Sequence, residues 1–261
     1  MSKSLGMLRA AMVRLLRARG MRHLSWGIAD QGLSSLTNLA VTLSIARTLG
    51  AEQFGAFSLA YVTYGFALTA SRGLATDPLM VRFGGADLPT WRRAVAGCTG
   101  TAVGVGLATS ACVLVVAALS RGTTQQAFLA LGLMLPGLLL QDSWRYAFFA
   151  AGRGSQAFLN DMVWAIALIP ALLLVWRTGH ENVFWFVLAW GSAAAIAAIV
   201  GLLQTRLLPR LSAARRWLSD HRDLGFRYLA EGTSSSAATQ LRTYGIGLIL
   251  GLAAVGYVQA A

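Results

Sequence analysis

The chain has 261 residues, 56% of them hydrophobic and only 12% charged, where a soluble domain carries roughly 25% charged. That balance, with a mean hydropathy of +0.59, excludes an ordinary water-soluble enzyme and predicts an all-α polytopic membrane protein. The formal charge of +12 invites a nucleic-acid reading, but the basic residues punctuate apolar stretches as membrane topology signals do, which argues for no nucleic-acid partner.

Residues 1–23 form a basic segment carrying Lys3, Arg9, Arg14, Arg17, Arg19 and Arg22. Leu5, Leu8, Met12, Leu15 and Leu16 share one helical face, as a helix lying on the membrane surface requires. Arg9 and Arg19 intrude on that face, so a plain topogenic tail is the alternative.

Seven apolar stretches follow, at 24–46, 54–71, 94–120, 125–151, 158–176, 183–205 and 228–259. Each reaches about 18 residues or more, enough to cross a hydrocarbon core of roughly 30 Å. The last is long enough to hold a turn and the start of another helix. About seven transmembrane helices are therefore expected.

The first stretch is polar for a membrane span. Asp30, Ser34, Asn38 and Thr42 recur every four residues and so share one helix face. Inside an apolar helix such a face points to a protein interface or a watery cavity. Asp30 reads either as a cavity acid that binds a proton, a cation or a sugar hydroxyl, or as an interface residue bonded to a neighbouring helix.

In the third stretch Cys98 and Cys112 lie about 21 Å apart along a helix, too far for a disulfide. Gly100 and Gly104, with Gly97 nearby, read as a close-packing face. The fourth stretch carries Gln141, Asp142 and Arg145, and the last two, three apart, can pair. Asn160 and Asp161 open the fifth, where helix capping is the simpler role. Pro136 and Pro170 each remove a helix hydrogen bond. Trp26, Trp91, Trp176, Trp185 and Trp217 fall near predicted ends, as interfacial anchors do.

The seventh stretch repeats the polar stripe. Glu231, Ser235, Thr239 and Thr243 are spaced four apart and lie 201 positions beyond the first set. The same offset superposes Ile45, Leu49, Gly50, Gly55 and Ala60 on identical residues. Six helices separate the copies, so both enter from one side and the repeat is parallel. Arg242 lies beside the second stripe, deep in the span. Its fork suits a phosphate or carboxylate, against a structural pairing with an acid.

Arginines crowd the ends before the first stretch, between the second and third and after the sixth, and thin out at the alternate junctions. The positive-inside rule then places the N-terminus in the cytoplasm. The expected organisation is a six-helix lobe at 24–206, a basic cytoplasmic linker at 207–227, and the first helix of an incomplete second lobe at 228–261. No Walker A sequence occurs, His23, His180 and His221 are scattered, and the external loops are short. No catalytic residues, metal site or cofactor is expected, so the chain is read as no enzyme.

The run Ile45, Ala46, Arg47, Thr48, Leu49, Gly50, followed by Phe54 and Gly55, resembles the end of the first helix in bacterial polysaccharide flippases. These belong to the multidrug/oligosaccharidyl-lipid/polysaccharide exporter superfamily. Residues 145–161 and 251–256 are similar to its fourth-to-fifth and seventh-helix regions. The resemblance implies a MATE-like N-lobe bundle in the bacterial inner (plasma) membrane. It further implies alternating-access transport of undecaprenyl-diphosphate-linked oligosaccharide from the cytoplasmic to the outer leaflet, for surface polysaccharide such as O-antigen. The implied substrate cavity contains Asp30, Ser34, Asn38, Thr42, Asp142, Arg145, Glu231, Thr239 and Arg242. Alternatives are a multidrug antiporter of the same fold coupled to protons or sodium, with Asp30 as the coupling acid, and a non-transporting subunit. A partner lobe or polysaccharide-assembly membrane proteins would complete a short chain of this kind.

Overall fold

Helical geometry satisfies the backbone within each segment, the solution an apolar surrounding demands. A computed structural model describes the backbone of residues 2–260 and the side chains of 25–259 apart from Ser236 and Thr239. The described residues form ten α-helices and no strand. These are α1 (Ser2–Thr48), α2 (Ala51–Ser71), α3 (Asp77–Phe83), α4 (Leu88–Leu119), α5 (Gly122–Ala150), α6 (Gly154–Thr178), α7 (Val183–Thr205), α8 (Leu211–Asp220), α9 (Arg222–Leu250) and α10 (Leu252–Ala260). A π-helical turn, Arg72–Thr76, joins α2 to α3.

Four of them, α4 to α7, are long and apolar enough to cross a membrane. The all-helical membrane class therefore stands. The first and last expected spans are diluted by their polar stripes, and α2 by Ser, Thr, Tyr and Gly. The backbone of α1 runs unbroken through the boundary expected at residue 23. The side chains of Leu5, Leu8, Met12, Leu15 and Leu16 lie outside the described residues. The turn expected in the last stretch falls at Gly251, whose φ of 84° is a left-handed value that suits glycine.

Two apolar cores hold the bundle. One packs Phe54 and Phe57 of α2 against Leu131 and Leu135 of α5 and Trp190 of α7. The other gathers Trp91, Val95, Trp144, Phe148 and Trp217. Trp91 and Trp217 are thus buried rather than set at a lipid interface. Each indole N–H donates to a backbone carbonyl, that of Ala147 at 2.9 Å and that of Leu74 at 3.1 Å.

Pro136 has no N–H for the carbonyl of Gly132, four residues back. The hydroxyl of Ser110 on α4 donates to that oxygen at 2.5 Å, so α4 repairs the gap in α5. The glycine row of α4 receives the linker rather than another long helix. Gly97 faces the ring of Trp217, Gly100 the backbone of Arg210 and Gly104 the side chain of Leu211.

Candidate functional site

Charged and polar side chains from four elements converge on one network, buried except at Arg72, whose side chain is a third exposed. α1 supplies Asp30, α5 supplies Gln141, Asp142 and Arg145, α6 supplies Asn160 and Asp161, and the π-helical turn supplies Arg72. Asp30, Asp161 and Asp142 are 0%, 2% and 4% exposed, and Arg145 is 9% exposed.

Arg145 is the hub. Its Nε donates to Asp30 Oδ2 and lies 3.5 Å from Asp161 Oδ2, while its Nη2 donates to Gln31 at 3.2 Å. Gln141 donates to Asp161 Oδ1 at 2.8 Å and to Asn160 Oδ1 at 3.3 Å. Asn160 donates in turn to the Ala197 carbonyl at 2.8 Å and to Gln204 at 3.3 Å, which ties α6 to α7. A second pair adjoins the first. Arg72 grips Asp142 with two bonds, Nε to Oδ2 at 3.1 Å and Nη2 to Oδ1 at 2.7 Å, and its guanidinium lies over the ring of Tyr146.

Two expectations are corrected here. Asp142 does not pair with Arg145, because Arg72 approaches from the π-helical turn with the planar fork that matches a carboxylate. Asn160 and Asp161 are not caps: α6 begins at Gly154, so both lie more than a turn inside it and face the network. Arg72 reads in sequence only as a topology charge. At the end of the second apolar stretch it is indistinguishable from the other arginines of that junction, so no signal in the sequence singles it out.

Asp30, Asp142 and Asp161 face two guanidinium groups, and Asp77 lies within electrostatic reach of Arg72 and Asp142, so carboxylates outnumber guanidinium groups. Asp30 Oδ1 and Asp161 Oδ2 also accept no hydrogen bond. An unpaired buried ion costs several kcal/mol, so the chemistry favours taking up positive charge at this place. Among the described residues, no three His, Cys, Asp or Glu side chains are grouped to hold a metal.

The rest of the first stripe leads away from this hub along α1. Ser34, Asn38 and Thr42 are half-buried. Asn38 Oδ1 is buried without a partner, and Thr42 folds back to donate to the Asn38 carbonyl at 2.9 Å. Thr42 also lines a cavity of about 110 Å³ with Ser58, Tyr61 and Gln259.

The second stripe is brought to the same end of the molecule. Thr243 is buried and accepts a bond from Gln259 at 3.3 Å, so Gln259 stands between the last residues of the two stripes. Glu231 and Ser235 are exposed, and the side chain of Thr239 lies outside the described residues. Arg242 is exposed, not buried as expected. Its neighbour Thr243 takes the inward face, and one residue turns a helix by about 100°.

Packing between the two copies is reciprocal. A Cβ on Gly55 would strike the Leu252 carbonyl, and one on Gly256 would strike the Ala51 carbonyl. Gly55 and Gly256 are equivalent under the 201-residue offset, as are Ala51 and Leu252. Such an exchange of equivalent contacts is the mark of two-fold packing. Compared with known proteins, the chain matches no family model, no curated protein and no solved structure.

Proposed function

We propose that the chain is an alternating-access transporter of the bacterial inner membrane, with about seven spans and a cytoplasmic N-terminus. Its cargo is undecaprenyl-diphosphate-linked oligosaccharide, moved to the outer leaflet for surface polysaccharide. The observation that carries the transport reading is the buried network of Asp30, Arg145 and Asp161. Ionisable groups inside apolar helices are costly and mark the paths of substrates and ions. The two-fold relation between α2 and α10 supports it, because transporters place their sites at such repeats. The cargo rests on the resemblance of residues 45–55, 145–161 and 251–256.

The test uses the full chain in proteoliposomes with a fluorescent lipid-diphosphate oligosaccharide, its exposure read by an added quencher. Unaltered protein should move the lipid, and Asp161→Asn should slow it by about tenfold or more while inserting normally. No movement by the unaltered chain, or an unchanged rate in the variant, would sink the reading.

A second reading, a cation-coupled antiporter of the same fold, is favoured by the surplus of carboxylates in the network. An imposed proton or sodium gradient that drives efflux of a small organic cation, with no lipid movement, would select it.

A further inference from the structure

Four arginines surround one cavity where α4 begins and α7 gives way to α8. Its volume is about 840 Å³; Arg92 and Arg93 line it from the first turns of α4, and Arg206 and Arg210 from the connection. No carboxylate lines it, and among the described residues none of the four arginines is in an ion pair. The acid that feels Arg93 is Asp87, which is already committed as the N-cap of α4. Hydrogen bonds from Thr90, and then the charge of Arg93, hold its carboxyl below the usual range.

The walls are built rather than incidental. Arg206 ends α7 in a left-handed conformation, φ 52°, that turns the chain back toward α4. The N–H of Arg210 then donates to the Ala96 carbonyl at 2.9 Å. Gly100 leaves the room this approach needs, since a Cβ there would meet the backbone of Arg210. Arg92 closes the corner by donating to the carbonyls of Thr205 and Arg206, both at 3.3 Å.

Beside these charges lie apolar side chains without cover. Leu208 is 75% exposed and Leu211 50% exposed, and both line the cavity. A nucleic acid or a free anion gives such leucines nothing to do. A phospholipid satisfies both halves, with its phosphate at the guanidinium groups and its chains on the leucines.

We propose that this cavity binds the phosphate headgroup of an anionic phospholipid from the adjoining leaflet, fixing α8 and the start of α4 at the membrane surface. The proposal needs the chain to be membrane-embedded, but not that it transports.

The test is native mass spectrometry of the full chain in neutral detergent micelles. The probes are dioleoyl phosphatidylglycerol, dioleoyl phosphatidylcholine and inorganic phosphate. Phosphatidylglycerol should be retained in preference to phosphatidylcholine. At about a fivefold contribution for each arginine near a lipid surface, Arg93→Gln with Arg206→Gln should weaken it by about 30-fold. Arg215→Gln with Arg216→Gln removes the same charge from α8 outside the cavity and should leave retention within about threefold. Equal losses in the two double variants, or equal retention of the two lipids, would overturn the proposal. Inorganic phosphate that displaces the lipid at similar concentration would reassign the site to a soluble anion and also overturn it. Should the cavity variant not remain monodisperse, the unaltered chain decides. Raising salt from about 0.1 M to about 0.5 M must then release phosphatidylglycerol and spare phosphatidylcholine; no release refutes the site.

Discussion

The two copies of the repeat begin with an acid at the same place and treat it in opposite ways. Asp30 on α1 is fully buried against Arg145, whereas Glu231 on α9 is exposed. Four-residue spacing creates a polar face, but the neighbouring helix decides whether that face becomes an interior. α6 and the arginine of α5 cover the first copy at its acid. The start of the second copy packs on α2 and the π-helical turn through Gly232 and Leu229, close to Thr69 and Gly73. That leaves Glu231 on the outer side, while Thr243 and Tyr244 meet α10 and α2 toward its other end.

The largest expected effect lies in that contrast. Arg145→Leu strands two buried carboxylates and should cost about 3–5 kcal/mol, while Glu231→Gln should stay within about 0.5 kcal/mol. Reversible unfolding in mixed micelles, followed by tryptophan fluorescence, measures both. Similar costs would erase the distinction between the copies.

The reciprocal contact between the copies is sharpened by glycine substitutions. Gly55→Ala and Gly256→Ala should each destabilise by about 1–3 kcal/mol, because a methyl group must displace backbone. Gly65→Ala, with open space beyond it on the same helix, should instead stabilise by about 0.5–1 kcal/mol. A loss at one position of the pair without the other would break the two-fold relation.

Smaller effects test how the second copy is held. Tyr244 and Thr63 share a hydrogen bond at 2.5 Å, so Tyr244→Phe should cost about 1 kcal/mol. Thermal unfolding of Tyr244→Phe, Thr63→Val and the double variant should show that the two losses do not add. At the start of α9, Arg82 pairs with Asp223 at 2.7 Å across exposed surface, the side chains being 36% and 61% exposed. Arg82→Ala should change stability by no more than about 1 kcal/mol, and a larger drop in the same assay would mean that this clamp orders α9.

Much of this was legible in the sequence. Apolar runs longer than a soluble helix needs announced α4 to α7, and the polar stripe led to Asp30. Matched glycines at 50, 55, 251 and 256 announced a repeat whose packing is reciprocal. The partners of the buried acid were less accessible, because they are set by which helices meet. Spacing along α5 offered Asp142 as the mate of Arg145, but Arg72 and Asp30 reach those groups from 70 and 115 residues away. Arg242 misled for a related reason. Depth along an apolar stretch says nothing of the direction a side chain takes around the helix.

The π-helical turn at Arg72–Thr76 has a bearing on how the chain can vary in length. The N–H of Asp77 reaches back five residues to the Arg72 carbonyl, so the turn holds one residue more than a regular helix would. Deleting that residue would let α2 and α3 wind as one cylinder and rotate one against the other by about 100°. Arg72 could then keep Asp142, or Arg82 could keep Asp223, but the two could not hold together. A single-codon deletion here is therefore a change of aim for everything on one side of it, and more disruptive than most exchanges of one side chain for another.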